Sequence, residues 1–78
     1  MARGYVLVDI EVGKGQAVRE RLKQSPGITQ ADLVMGPHDL VATVEADSIE
    51  EIGRLVVSEL HSIPGVKNTI TMLVINRD

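Results

Sequence analysis

The tetrapeptide SPGI at 25–28 recurs as IPGV at 63–66, and each copy closes the same succession: an alternating apolar run, a helical pattern, a Pro-Gly stop, and a second alternating run. A chain of 78 residues has length for one domain only. The two copies must therefore be halves of one fold.

The first half opens on V-L-V-D-I-E-V, in which Val6, Val8, Ile10 and Val12 share one face and Tyr5, Leu7, Asp9 and Glu11 the other. A period of two marks a strand over Val6 to Val12. After Gly-Lys-Gly, the run QAVRERLKQ sets Val18 and Leu22 four apart among charges, the single apolar stripe of a short helix. Ser-Pro-Gly at 25–27 ends it. Between Ile28 and Met35 the chain is its most polar, which predicts an edge strand from about Gln30. Leu40, Ala42 and Val44 then alternate with Val41, Thr43 and Glu45, a third strand running to Ala46.

Asp47 stands three residues before Glu50 and predicts a capped helix start, with the Asp47 carboxylate accepting from free amides of the first turn. Ile49, Ile52, Val56 and Leu60 form the stripe expected to be buried. Gly53 lies on or near that stripe, at a cost of about 1 kcal/mol relative to alanine, so a close backbone approach is expected there. After Ser-Ile-Pro-Gly at 62–65, Val66 to Ile75 alternates once more.

The order β-α-β-β-α-β predicts an α+β, ferredoxin-like sandwich: a four-stranded antiparallel sheet in spatial order 4-1-3-2, with right-handed crossovers placing both helices on one face. Apolar side chains nevertheless occur on both faces of the strands, with Tyr5, Leu7, Val41, Leu73 and Ile75 among the alternates. One face lacks a cover. Monomers rarely expose a contiguous patch of that kind, and burying each such side chain is worth roughly 1.5–3 kcal/mol. A homodimer packed sheet to sheet is expected.

Composition points the same way. A domain this short buries only roughly 60% of the surface its unfolded chain exposes, and the absence of cysteine removes disulfides and thiolate metal sites as supports. Oligomerisation remains. The net charge of −3 provides no basic stripe for a phosphate backbone, and Tyr5 as sole aromatic provides no stacking platform, so direct nucleic-acid binding is not expected. Neither a signal peptide nor a membrane span is legible in MARGYVLV, so a cytoplasmic location is expected.

Gly36-Pro37-His38-Asp39 sits between the two middle strands and suits a tight turn, with proline presetting φ at its second position. Amides in such a turn form a small concavity for an anion. A carboxylate and an imidazole beside them complement a zwitterion, with Asp39 facing its ammonium.

The run V-M-G-P-H-D-L-V-A-T-V-E-A-D-S-I-E-E-I, followed by S-I-P-G-V-K-N-T-I-T-M, resembles the effector-binding (RAM) domain of the Lrp/AsnC, or feast/famine, transcription regulators from about Tyr5 to Ile75. The resemblance implies dimerisation through the sheets, assembly into rings of dimers, and amino acids bound at the junction between dimers. It also implies that Gly36, His38 and Asp39 form the ligand-holding turn and that Thr69 and Thr71 lie on a strand supplying hydroxyl contacts. Family members usually carry an N-terminal helix-turn-helix, whereas this chain starts at the first strand. It therefore resembles a stand-alone version, for which DNA binding is not expected and full-length regulators of the family are candidate partners.

Other polar residues are weaker candidates. His38 as a ligand contact would make the site respond to mild acid, since histidine ordinarily titrates near ~6.5. His61 suits a helix C-terminus. Asp9 and Glu11 share a strand face without a nucleophile or cofactor loop nearby, and read as a solvated rim or an intersubunit polar contact. Met35 and Met72 read as packing residues. No P-loop, nucleotide-binding glycine loop or triad is legible, and no cofactor or metal is expected. The function expected is an amino-acid-sensing and assembly module that is not an enzyme. The alternatives are a small dimeric ferredoxin-like oxygenase or isomerase, disfavoured by the near absence of aromatics, and a purely structural partner.

Overall fold

Strand β1 (Ala2–Ile10) turns Val6, Val8 and Ile10 into the core, as their alternation requires. In the computed structural model, which describes residues 1–76, β1 is followed by α1 (Gly15–Lys23), β2 (Ile28–Leu33), β3 (Leu40–Ala46), α2 (Ile49–Leu55) with a π-helical continuation (Val56–Leu60), and β4 (Val66–Leu73). The strands form one antiparallel sheet in the order β2-β3-β1-β4, which is the expected 4-1-3-2 read from the other edge. The most polar strand, β2, is at an edge.

Val18 and Leu22 of α1 and Ile52, Val56 and Leu60 of the second helical segment meet the inward residues of β1 and β3 in a single buried cluster. Helix α1 is held to the edge strand by Arg19, whose Nε donates to the Ala31 carbonyl at 2.8 Å. Ser25, the one buried polar side chain among the described residues, donates to Glu59 at 2.9 Å and so joins the two helical ends. No helix among the described residues is long and apolar enough to cross a membrane.

The two Pro-Gly stops make reciprocal contacts. A Cβ on Gly27 would lie 2.7 Å from a methyl of Leu55 in α2, and one on Gly65 would lie 2.8 Å from Cβ of Lys14 at the start of α1. Each half thus places its glycine against the other half's helix, which explains why the tetrapeptide occurs twice.

Several local expectations are corrected. Strand β1 ends at Ile10, leaving Val12 fully exposed beyond it. Ser48, not Asp47, caps α2, its side chain accepting from the Glu51 amide at 3.2 Å. Ile49 is the first residue of α2 and 58% exposed, so the buried stripe begins at Ile52. Gly53 meets nothing: a Cβ there would enter open space. Met35 packs against nothing and is fully exposed.

The open face also differs in one strand. Leu73 lies opposite Gly4 and Thr71 opposite Val6, which puts them on the helix side, while Ile70 and Met72 lie opposite Leu7 and Tyr5. Ile75 is beyond the end of β4. The uncovered apolar surface is therefore Tyr5, Leu7, Val41, Ile70 and Met72, the last two 43% and 46% exposed. A one-residue irregularity where β4 meets Asp9 and Ile10 sets this register, and a shift of one residue exchanges the faces of every side chain beyond it.

Candidate ligand site at the hairpin turn

The Gly36–Asp39 turn is fastened to the sheet through its last two residues. The Val34 amide donates to the Asp39 carbonyl at 3.0 Å, closing the hairpin, and the Asp39 amide donates to the Val8 carbonyl at 3.0 Å, prolonging the β3–β1 ladder. The Asp39 carboxylate accepts from the Ile10 amide at 2.8 Å through Oδ2. Its side chain is otherwise exposed, and Oδ1 has no protein partner among the described residues.

His38 points the other way. Its Nδ1 lies 2.8 Å from Asp9 Oδ1, and since a carboxylate only accepts, the imidazole donates through Nδ1. Asn68, opposite Asp9 on β4, reaches its second oxygen at 3.5 Å. The hydrogen bond from His38 is the main reason the Asp9 carboxyl is held below its ordinary value of 3.8; partial desolvation opposes it, and Asn68 and the charges of His38 and Lys67 assist it. Adjacent turn residues thus grip adjacent residues of β1.

Asp39 opens onto a cavity of about 280 Å³ between the turn and the start of α1, lined also by Ile10, Glu11, Val12, Gly13, Gly15, Leu33 and Val34. Gly13, at φ 84°, turns the chain from β1 into α1. The N-cap position of α1, Lys14, makes no side-chain cap, and its first turn carries no acidic residue. The Lys14 amide donates to the Glu11 carbonyl at 3.0 Å, and the carboxylates of Asp39 and Glu11 on the cavity wall complement a cation.

Of the residues expected at the site, Asp39 lines this cavity, whereas Gly36 and His38 do not. Thr69 and Thr71 lie on β4, two strands from β3, on the helix side of the sheet. Thr69 Oγ1 is 2.8 Å from His61 Nε2, beside a second cavity of about 400 Å³ lined by His61, Val66, Lys67, Asn68 and Thr69. Within one chain the threonines and the turn therefore belong to different cavities. Glu11 lines the first cavity, away from the Asp9–His38–Asn68 group, so these two carboxylates do not act as a pair. The lining by Val12, Gly13 and Gly15 was missed by sequence reasoning, although Gly-Lys-Gly directly after a strand is the signal of a loop open to close approach.

A family model described as the Lrp/AsnC ligand binding domain matches residues 3–77. The HTH-type transcriptional regulator PH1916 of Pyrococcus horikoshii is 36% identical over 72 residues, 88% of this chain and 48% of that protein. The chain thus spans about half the length of that regulator. Among solved structures, TTHA0845 from Thermus thermophilus superposes with a TM-score of 0.94 at 31% identity, covering 100% of this chain and 98% of that one. Escherichia coli AsnC gives 0.90 at 14% identity, covering 97% of this chain and 52% of that one. The transcriptional regulator NMB0573 of Neisseria meningitidis, solved as a complex with L-methionine, gives 0.82 at 18% identity, covering 97% and 51%. At these lower identities the likeness is one of fold.

Proposed function

The chain belongs to the Lrp/AsnC ligand binding domain family, and on that premise we propose that it is an amino-acid-sensing and assembly module acting on transcription through partner proteins. The observation that carries this reading is Asp39: in a domain of a ligand-binding family, its carboxylate stands at a cavity lined at its other end by Gly13 and Gly15. An amino acid meets both ends, its ammonium at Asp39 and its carboxylate at the Gly13–Gly15 backbone. Gly36 and His38 act in this reading by shaping the turn, and Thr69 and Thr71 supply hydroxyl groups from a neighbouring copy. The L-methionine complex of the regulator NMB0573 gives the ligand class a precedent in the same fold.

Assembly follows from the uncovered sheet face. Two copies packed front to front bury Tyr5, Leu7, Val41, Ile70 and Met72 from each side. Association of such dimers closes the open side of the cavity, so that a ligand held there stabilises the assembled state and its concentration sets the oligomer distribution. Full-length regulators of the family are candidate partners. The net charge of −3 supports a role for this domain without DNA contact, in the cytoplasm where such regulators work.

The test is a thermal-shift screen of the free amino acids followed by sizing chromatography with any that bind. A ligand that raises the melting temperature and changes the oligomer size supports the reading. A screen in which no amino acid binds removes it in favour of a structural partner.

A further inference from the structure

We infer that the outer face of α2 and its π-helical continuation is a docking surface for the same face of a second copy, packed antiparallel about Gly53. This surface shares no residue with the open face of the sheet or with the cavity beside Asp39.

Gly53 supplies the first observation. It lies within α2, where glycine costs about 1 kcal/mol relative to alanine, and a Cβ there would meet no atom of the chain within 4 Å. Gly27 and Gly65 are each required by the half of the fold that packs on them, whereas Gly53 has neither a close neighbour nor a positive φ. What a glycine still permits at such a position is the approach of another backbone.

The neighbours of Gly53 point to a helix as the visitor. Ile49 and Val57, four positions to either side, are 58% and 63% exposed. The row Ile49-Gly53-Val57 therefore presents two large apolar side chains to solvent with a notch between them, and rows of this spacing are the ridges by which helices interlock. In an antiparallel pair centred on Gly53 the two notches face each other, and Ile49 of each copy meets Val57 of the other.

The charges identify the visitor as a second copy and set its direction. The adjoining exposed row carries Glu50 and Arg54. Within the chain Arg54 turns to Glu51, and Glu50 has no ion-pair partner among the described residues. The antiparallel arrangement brings Glu50 of each copy beside Arg54 of the other, in two pairs related by the same two-fold axis. A parallel pair would bring Glu50 level with Glu50 and lose both contacts. Exposed pairs of this kind govern orientation more than strength. A single helix face also falls short of the roughly 1,200–2,000 Å² that stable interfaces bury, so the contact is weak between free chains and effective between copies already joined elsewhere.

The experiment is sedimentation equilibrium over a concentration series, on the full chain carrying Ile70→Glu so that the open sheet face is charged. Gly53→Ala, Gly53→Gln, Glu50→Lys and Glu50→Lys/Arg54→Glu are added to it in turn, each checked by circular dichroism. The background chain should be monomeric when dilute and self-associate as its concentration rises. Gly53→Ala should weaken that association and Gly53→Gln abolish it, although both residues are better helix formers than glycine and should leave the monomer at least as stable. Glu50→Lys should weaken association, and the double variant, which exchanges the charges, should restore it. A background chain that stays monomeric at every concentration overturns the inference. Association indifferent to Gly53→Gln also overturns it, as does a double variant no better than Glu50→Lys alone.

Discussion

His38 Nδ1 and Asp9 Oδ1, twenty-nine positions apart in the chain, are 2.8 Å apart in the fold and join the hairpin turn to the central strand on the open face of the sheet. Because folding depresses the Asp9 pKa, the bond contributes stability that is present above the ordinary carboxyl value and is lost as pH falls through the depressed one. Thermal or urea melts should therefore show His38→Ala less stable than wild type at neutral pH. The gap should close as pH drops below 3.8. A gap that stays constant through that range would show that the two residues are not linked.

Ser48 accepts from the Glu51 amide, while Asp47 makes no such bond. Replacing Ser48 by Ala should cost about 1 kcal/mol, the usual worth of an N-cap. Replacing the exposed Asp47 by Ala should change stability by less than about 0.5 kcal/mol. Urea denaturation of the two variants side by side distinguishes the caps, and equal losses would mean that both residues share the role.

Gly53 and Gly65 should respond oppositely to the same substitution. Gly53 is an exposed helical residue whose Cβ would enter open space, so Gly53→Ala should stabilise by about 0.5–1 kcal/mol through helix propensity. Gly65 has φ 101° and would drive a Cβ to 2.8 Å from Lys14, so Gly65→Ala should destabilise by more than about 1 kcal/mol. A stabilised Gly65→Ala would contradict the packing of the second Pro-Gly stop.

Period-two runs made the fold legible: the inward set of Val6, Val8 and Ile10, with Leu40, Ala42 and Val44, is visible in the letters because burial on one face demands it. The faces of β4 were not. Leu73 and Ile70 belong to alternate sets, and which set meets the helices depends on the irregularity beside Asp9 and Ile10, a register effect that a single strand's pattern does not contain. The cap was misread for a related reason, since Asp47 and Ser48 both suit an N-cap and the backbone path decides between them. At the candidate site, residue chemistry singled out Asp39 but gave no hint that its carboxylate also holds the Ile10 amide, a contact across the fold.

The open face provides a test of assembly. Ile70 lies opposite Leu7 in the uncovered patch. Charged residues placed there would be desolvated in a sheet-to-sheet dimer and harmless in a monomer. Ile70→Glu should yield a folded monomer by analytical ultracentrifugation under conditions where wild type is dimeric. If the variant sediments as wild type does, the copies associate through some other surface.

Asp39 carries two roles that different substitutions separate. Its Oδ2 satisfies the Ile10 amide, and its charge faces the cavity. Asparagine retains an oxygen able to accept from the amide but removes the charge, whereas alanine removes both. Asp39→Asn should therefore stay within about 1 kcal/mol of wild-type stability, while Asp39→Ala should lose about 1–3 kcal/mol through the unpartnered amide. Both should lose the stabilisation by an amino-acid ligand that the proposed site predicts for the wild type, about 2.7 kcal/mol at a ligand concentration one hundred times Kd. Urea titrations with and without an amino acid that raises the wild-type melting temperature read both effects at once. Should the asparagine variant keep the full response to that amino acid, the ammonium of the ligand is held by another group, and Glu11, the other carboxylate on the cavity wall, becomes the residue to replace.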